Sequence, residues 1–367
     1  MDVIKPLKHM SLALELNEAA THLPRETADE RTEQHTGDPA FFYCLLVVLL
    51  PLLAIPAFIG LGKSDFFLHH GASAWVKAND EIFNLRGRNC DVLVYGDSTA
   101  MTGINPAVVT QKTGFKTCNI AVTNAVLAVT GNLTLDHYLQ QNEKPKMLIV
   151  QLSPDDFQQE NRVWKHTIYA EGLLELLRHG SPEEGRRLLL THPHEAVAFA
   201  GYAAGFTAYY AIKDMWFRTT NLRPEEDQIQ VRNGFFTPPS PARTYCDPAS
   251  ALRDGSRDFP RSVADDYING YSDRSAVVLV DVAPIPSCDA NLAAYSSELE
   301  GVTSNSLLSL PIGAFNDDRH YTAGGSQIVS TLVARQVNDI ALKNPALDDR
   351  TQAMPDLASL HFVSLER

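Results

Sequence analysis

The sequence is poor in the features that mark nucleic-acid-binding and zinc-binding proteins. Lysine and arginine number 31 against 44 acidic residues, the formal net charge is −13, and the basic residues form no cluster. Because phosphate binding needs a basic face, we expect no nucleic-acid partner. The five cysteines include no Cys-x-x-Cys pair. No His/Cys spacing suggests zinc, so we expect neither a metal nor another cofactor.

One long stretch lacks charge altogether. The run from Phe41 to Leu61 would span roughly 30 Å as a helix, the thickness of the hydrocarbon layer of a bilayer. Pro51 and Pro56 interrupt it, but membrane helices tolerate proline. A buried core helix and a cleaved signal peptide are the alternatives, and the polar leader is unusually long for a signal peptide. We therefore predict a transmembrane signal anchor over residues 41–62.

The anchor separates segments of different character. Residues 1–40 are polar with little apolar periodicity, which predicts a partly disordered leader. We predict a juxtamembrane segment over 63–87, with a helix at about Ser73–Phe83, then a catalytic domain over 88–343 and a loosely structured tail over 344–367. Positive charges are balanced on the two sides of the anchor, so they do not fix its orientation.

The domain alternates apolar strands with helical stretches. Strands are predicted at Asp91–Tyr95, Lys116–Ala121, Lys146–Leu152 and Ala276–Val282. Helices are predicted from Asn105-Pro106 onward, and over Ala125–Gln141, Thr303–Ser309 and Ser326–Lys343. Such alternation is typical of an α/β fold with a parallel sheet and helices on both faces.

Residues 161–260 break this alternation. Helices are predicted at Leu173–Leu177, Arg186–Leu190 and Glu195–Phe217, before a Pro-rich loop around Pro238–Pro248. We interpret this stretch as an insertion or cap over the carboxyl edge of the sheet. Its aromatic and Ala-rich part, Ala196–Trp216, is either a buried cap helix or a helix that contacts membrane or substrate.

The cysteines suggest disulfides. Cys44 lies in the apolar run, and the other four allow three pairings. Cys90 precedes the first predicted strand and Cys118 lies on the second. Adjacent strands would bring these two together and leave Cys246 with Cys288. Two disulfides would place the domain outside the cytoplasm.

Two short motifs carry the chemistry. Gly96-Asp97-Ser98 directly follows the first predicted strand, and Asp317-Asp318-Arg319-His320 lies near the C-terminus. His320 can accept the hydroxyl proton of Ser98, and Asp317 can orient the ring of His320, with Asp318 as a competitor for that role. The alternative for His320 is an exposed loop histidine. The alternative for Asp97 is a side chain that only caps the turn. If Ser98 begins a helix, its N–H can stabilise an oxyanion.

These motifs resemble the SGNH/GDSL hydrolase superfamily over roughly residues 88–160 and 274–343. The resemblance implies a flavodoxin-like, three-layer α/β/α fold with a helical insertion. It implies that Ser98 is the nucleophile and an oxyanion donor, and that Asp317 and His320 complete the triad.

The middle motifs depart from this family. Asn124 stands where the family has a glycine whose N–H donates to the oxyanion, and Asn tolerates left-handed geometry better than most residues. Asp155, in Ser153-Pro154-Asp155-Asp156, stands where an Asn side chain donates. An ionised carboxylate cannot donate. Asp155 is therefore turned away, protonated, or part of an oxyanion hole that is built differently.

The anchor and the Gly-Asp-Ser-x-Ala motif resemble one branch in particular, the membrane-anchored proteins of bacterial exopolysaccharide O-acetylation. This resemblance implies acyl transfer through Ser98 to a polysaccharide such as cellulose or alginate, on the periplasmic side of the inner membrane. It implies a multipass membrane acyltransferase and a polysaccharide synthase complex as partners. A carbohydrate esterase or deacetylase, and a catalytically silent polysaccharide-binding subunit, remain the alternatives.

Overall fold

The computed structural model describes six stretches of the chain. They are residues 39–70, 72–157, 169–220, 234–235, 241–246 and 261–347. Most of the predicted leader, most of the predicted tail and part of the predicted Pro-rich loop lie outside these residues. The chain divides into two units, Met1–Leu50 and Pro51–Arg367.

The first described helix is the predicted apolar one. Helix α1 covers Pro39–Gly62 and is, by length and composition, able to cross a membrane. Many of its large apolar side chains are exposed. An all-apolar helix of this kind is suited to a lipid environment. The predicted apolar helix is therefore confirmed, with an N-terminal boundary two residues earlier.

Further helices and strands alternate along the rest of the described chain. Helices α2 to α13 cover Asp65–His70, Ala74–Phe83, Ser98–Gly103, Pro106–Thr113, Asn124–Thr130, Leu133–Gln141, Tyr169–His179, Pro182–Thr191, Pro193–Thr220, Ser262–Tyr271, Leu292–Glu298 and Ala323–Lys343. Strands β1 to β6 cover Val92–Gly96, Thr117–Asn119, Met147–Leu152, Val277–Val282, Ile285–Pro286 and Ser309–Leu310.

A four-stranded parallel sheet is the centre of the fold. Its strand order is β2-β1-β3-β4. Every residue of β1 and β3 is buried, and successive residues point to opposite faces, so both faces of these strands are covered. The predicted α/β class with a parallel sheet is confirmed. The strand order reverses between β1 and β3, which leaves a crevice at the carboxyl ends of these strands.

Local signals explain where several helices begin and end. Asn105 accepts the N–H of Ala107 at 3.0 Å, so α5 starts at Pro106 as the sequence predicts. The helix ends at Gly114, whose φ of +75° suits glycine. The predicted helical stretch over 125–141 is confirmed. It consists of two helices, α6 and α7, which are divided at Gly131, where φ is +55°.

The predicted helix over Thr303–Ser309 is wrong. Ser304 donates its N–H to the carbonyl of Val280 at 2.6 Å. The side chain of Asn305 bonds the N–H of Val282 at 2.8 Å and the carbonyl of Val282 at 3.0 Å. This extended segment thus satisfies polar groups on the edge of β4, a need that helical periodicity does not reveal. Helices α11 and α12 were not predicted.

The described helices of the insertion pack on the juxtamembrane segment. Helix α8 contacts α3, α6 and α10, and α10 contacts α2. A second apolar cluster forms there, which includes Phe67, Val76, Leu173 and Phe199. Helix α10 is buried at Phe199, whereas Trp216 near its end is 64% exposed. Contact of this helix with membrane or substrate stays a prediction. The position of the insertion over the carboxyl edge of the sheet stays a prediction.

Two disulfides link distant parts of the domain. Cys90 is bonded to Cys118 with Cα atoms 5.8 Å apart, and Cys246 is bonded to Cys288 with Cα atoms 6.1 Å apart. Both match the pairing favoured by the sequence. The first joins the residues before β1 to the neighbouring strand β2, as adjacent strands allow. Cys44 has no disulfide partner in the described residues.

Candidate active site

The turn after β1 places Ser98 at the start of a helix. Gly96 ends the strand with a φ of +148°, and a Cβ there would overlap the carbonyl oxygen of Gln151. Glycine is therefore required for the chain to turn here. Ser98 is the first residue of α4. It follows the carboxyl end of β1, beside the reversal of strand order where open α/β sheets bind ligands.

Asp97 fixes this turn through two contacts. Its carboxylate accepts the N–H of Thr99 at 2.7 Å as the N-cap of α4, which agrees with the capping alternative. It also accepts the N–H of Ser153 at 2.6 Å. Because the side chain is 1% exposed, both bonds are shielded from water. Asp97 therefore ties the turn of Ser98 to the turn that follows β3.

The structure brings the three predicted triad residues together. His320 Nε2 lies 2.9 Å from Ser98 Oγ, across 222 positions of the sequence. His320 Nδ1 lies 2.6 Å from Asp317 Oδ2. The other carboxylate oxygen of Asp317 accepts the backbone N–H groups of Arg319 and His320 at 2.8 and 2.7 Å. Asp317 is thus fixed by the same loop whose histidine it contacts.

The charge of Asp317 sets the tautomer of the histidine. Burial raises the pKa of Asp317, but hydrogen bonds from the His320 ring and from two backbone N–H groups outweigh burial and lower this pKa to about 2. At neutral pH the carboxylate is therefore ionised and can only accept. In the neutral ring, Nδ1 of His320 carries the proton, and Nε2 is left to accept one from Ser98.

Asp318, the alternative to Asp317 as the partner of His320, is bound elsewhere. Asp318 forms an ion pair with Arg243. The backbone N–H of Arg243 also donates to the carbonyl of Phe315 at 2.7 Å. Asp317, and not Asp318, is therefore the acidic side chain in contact with the ring of His320. The pair of Asp318 with Arg243 adds a second anchor to the histidine loop.

Asp155 is engaged by a guanidinium and a phenol. Arg319 donates from Nη2 and Nε to Asp155 Oδ2 at 3.0 and 3.2 Å, and from Nη1 to Asp289 Oδ2 at 2.9 Å. The hydroxyl of Tyr295 donates to Asp155 Oδ1 at 2.7 Å. Burial opposes the charge of Arg319, but the two carboxylates outweigh burial and raise its pKa above the usual range.

This ion pair decides among the alternatives for Asp155. Both carboxylate oxygens accept hydrogen bonds from protein groups, so the side chain is turned to these partners and offers no proton to an oxyanion. Arg319 is the residue directly before His320. Asp155 therefore anchors the histidine loop, where the family resemblance implies an oxyanion donor. The sequence offered one signal for this role, an arginine inside the Asp-x-x-His motif.

Two backbone amides are available as oxyanion donors. Val122 donates its N–H to the carbonyl of Gly96 at 3.1 Å, which holds the segment before Asn124 beside the turn of Ser98. Ser98 and Asn124 are each the first residue of a helix. Helix geometry gives their N–H groups no intrahelical acceptor, and the described residues provide no other. The side chain of Asn124 donates to Asp156.

Asp156 is a half-buried acid beside two others. Its pKa lies well above the usual range because of burial and because of the neighbouring carboxylates of Asp97 and Asp155. The hydroxyl of Ser153 donates to it at 3.2 Å. The raised pKa favours the protonated form of Asp156, which would add no negative charge to this side of the candidate site.

Helix α3 supplies contacts that sequence reasoning missed. The ring centroids of Trp75 and His320 lie 4.9 Å apart. One turn later, buried Asn79 accepts the N–H of Thr123 at 3.0 Å and donates to its hydroxyl at 3.1 Å. Thr123 directly precedes Asn124. Helix α3 thus touches both the candidate base and the segment before the candidate oxyanion donor, and only long-range packing reveals this.

Comparison of the chain with models of known protein families gives no match, and comparison with curated proteins gives none either. The functional assignment of the site therefore depends on the geometry of these residues.

Proposed function

We propose that this protein is a membrane-anchored, SGNH-type O-acyltransferase that acylates an extracytoplasmic polysaccharide through an acyl-Ser98 intermediate. The observation that carries the proposal is the hydrogen-bonded chain from Ser98 through His320 to ionised Asp317. Its place after β1, where the strand order reverses, supports the flavodoxin-like arrangement that this superfamily implies. Acetyl is the proposed acyl group, and cellulose or alginate is the proposed class of acceptor.

The first half-reaction acylates the serine. Ser98 Oγ attacks the donor carbonyl while its proton passes to His320 Nε2. The oxyanion of the tetrahedral intermediate accepts hydrogen bonds from the N–H groups of Ser98 and Asn124. The intermediate collapses, the bond to the leaving group breaks, and His320 returns the proton to that group. Asp317 stabilises the imidazolium that exists between these two transfers.

The second half-reaction releases the acyl group. A sugar hydroxyl gives its proton to His320 as its oxygen attacks the acyl carbon, and Ser98 leaves with that proton. Water in place of the sugar gives the alternative function, a carbohydrate esterase or deacetylase. The engaged carboxylate of Asp155 favours a specialised enzyme, because losing one side-chain oxyanion donor costs about 10²–10³ in kcat in a well-studied hydrolase. The same feature motivates the second alternative, a silent polysaccharide-binding subunit.

Two features support the proposed location of the domain. Two disulfides suit an oxidising compartment, and α1 suits a membrane anchor. We place the domain in the periplasm, attached to the bacterial inner membrane by one helix. A multipass membrane acyltransferase would deliver the acyl group, and a synthase complex would deliver the polysaccharide.

The test uses the full chain in detergent, with an acetyl ester donor and an oligosaccharide acceptor. Ser98→Ala is compared with Ser272→Ala, which changes an exposed serine at the end of α11. We expect acetylated oligosaccharide with the control and none with S98A. Free acetate alone would favour the esterase. Full activity in S98A would refute the mechanism, and absence of labelling of the wild type by a serine-reactive phosphonate would favour the silent subunit.

A further inference from the structure

A second cluster of chemically capable side chains lies between the juxtamembrane helix α3 and the first insertion helix α8. It consists of Asp80, Glu175 and His179, whose candidate ligand atoms all lie within 4.8 Å of one another. Glu175 and His179 are one turn apart and share a face of α8. The sequence did not reveal this group, because its third member is far away in the chain.

Glu175 is the member that needs an explanation. Its side chain is fully buried, and neither carboxylate oxygen has a hydrogen-bond partner. His179 Nε2 lies 3.5 Å from one of these oxygens. Burial and the nearby charge of Asp80 raise the pKa of Glu175 well above its usual range. A buried acid without a partner is costly in any protonation state, and buried charges are normally paired or bound to a metal.

The spacing of the three side chains fits a small cation. Ligands of a tetrahedral zinc ion, at about 2.0–2.2 Å from the metal, lie about 3.3–3.6 Å from each other. His179 Nε2 lies 3.5 Å from Glu175 Oε2 and 2.8 Å from Asp80 Oδ1. The first separation already fits, and the second needs to open by about half an ångström for that geometry. The ring of His179 is stacked on Phe83, with centroids 4.5 Å apart, which holds its orientation.

Arg178 also contacts the cluster through Asp80. It has two further acceptors, so it does not depend on Asp80 alone. Its Nε donates to Asp80 Oδ1 at 2.8 Å. The same guanidinium donates to Asp65 at 3.1 Å and to the carbonyl of Lys63 at 2.5 Å. It therefore keeps acceptors when Asp80 turns toward a metal. The second oxygen of Asp80 accepts only a long bond of 3.3 Å from Asn84 Nδ2.

We propose that Asp80, Glu175 and His179 form a binding site for a divalent transition metal. One imidazole and two carboxylates suit Zn²⁺, and they suit Mg²⁺ less, because Mg²⁺ prefers oxygen ligands and retains its waters. The metal would connect α8 to α3, the helix that carries Trp75 and Asn79 to the candidate active site. The inference does not depend on the proposed reaction, since the ligands lie outside the triad.

Metal binding is measured by calorimetry on the tag-free full chain in detergent after treatment with a chelator. We expect one equivalent of Zn²⁺ to bind, to raise the temperature of unfolding, and to bind much more tightly than Mg²⁺. Glu175→Gln keeps the shape of the side chain and should weaken Zn²⁺ binding at least about 100-fold, since losing even an outer-shell partner costs about 10- to 100-fold. Glu183→Gln, an exposed change on α9, should match the wild type.

Co²⁺ supplies a readout that needs no variant. A visible d–d absorption of tetrahedral intensity is expected when Co²⁺ replaces Zn²⁺ in the wild type, and its loss on adding excess Zn²⁺ shows that both metals share one site. Zn²⁺ binding that is equally tight in E175Q, or no stoichiometric binding by the wild type, overturns the proposal. Zn²⁺ binding that persists in the variant would mean that the ligands are other surface groups, such as His192 and His194, whose rings lie close to each other.

Discussion

The two sides of the Ser98 hydroxyl are built in different ways. On the base side, His320 and Asp317 are three residues apart, and short hydrogen bonds within one loop set their relative position. On the proposed oxyanion side, the donors are the first residues of α4 and α6, and their supports come from α3, from the segment before α6 and from the turn after β3. A local motif thus sets the contact between His320 and Asp317, although long-range ion pairs anchor their loop. The oxyanion side depends on contacts over long sequence distances throughout. Substitutions on the two sides should therefore differ in kind.

The largest effect is expected on the base side. Asp317→Asn should lower the rate of acyl transfer by about 10⁴-fold, because an amide at this position favours the wrong tautomer of the histidine. Asp318→Asn is the matched control, since it makes the same change one residue away on a carboxylate that binds Arg243. The rate of labelling by a serine-reactive phosphonate measures both. Equal rates in the two variants would show that Asp317 does not orient His320.

The next effect tests the link between the two sides. Asp155→Asn restores the residue that the family resemblance implies, yet we expect lower activity because Arg319 loses a charged partner next to His320. The free energy of unfolding should fall by about 1.5–3 kcal/mol, the usual contribution of hydrogen bonds to charged groups.

Asp136→Asn is the control for this change. It breaks a half-exposed ion pair with Arg274, and such surface pairs contribute only about 0–1 kcal/mol. Thermal unfolding and acyl transfer are measured on both variants. A gain of activity in D155N would mean that the position serves the oxyanion and that its ion pair is dispensable.

A smaller effect is expected from the juxtamembrane helix. Asn79→Ala leaves the buried N–H of Thr123 without its acceptor, which should cost about 1–3 kcal/mol. Because Asn124 follows directly, kcat should fall more than KM rises. Asn338→Ala on α13, where the amide makes one long and exposed bond of 3.4 Å, should leave both unchanged. Unaltered kinetics in N79A would show that α3 does not support the oxyanion side.

The same contrast between local and long-range contacts explains which parts of the fold and of the site could be predicted from the sequence. The strands, the apolar helix α1 and the contact between Asp317 and His320 follow from local apolar runs and short motifs, whose signals lie within a few residues. The arginine inside the Asp-x-x-His motif is a signal for the role of Asp155, but it does not identify the partner, because Arg319 is 164 positions away. Thr303–Ser309 was assigned to the wrong class because its partners are the edge groups of β4.

The smallest predicted effect concerns Asp156 and has the opposite sign. Its pKa is raised by burial and by neighbouring carboxylates, so the folded state holds a proton that the unfolded state releases above pH about 4. The wild type should therefore lose stability as the pH rises from that value toward the folded pKa. Asp156→Asn imitates the neutral acid and can still accept from the side chain of Asn124. We expect D156N to match the wild type at pH about 3 and to unfold at a higher temperature at pH about 8. A variant that is less stable than the wild type at the higher pH would mean that Asp156 is ionised in the folded protein, and that the oxyanion side carries one more negative charge than proposed.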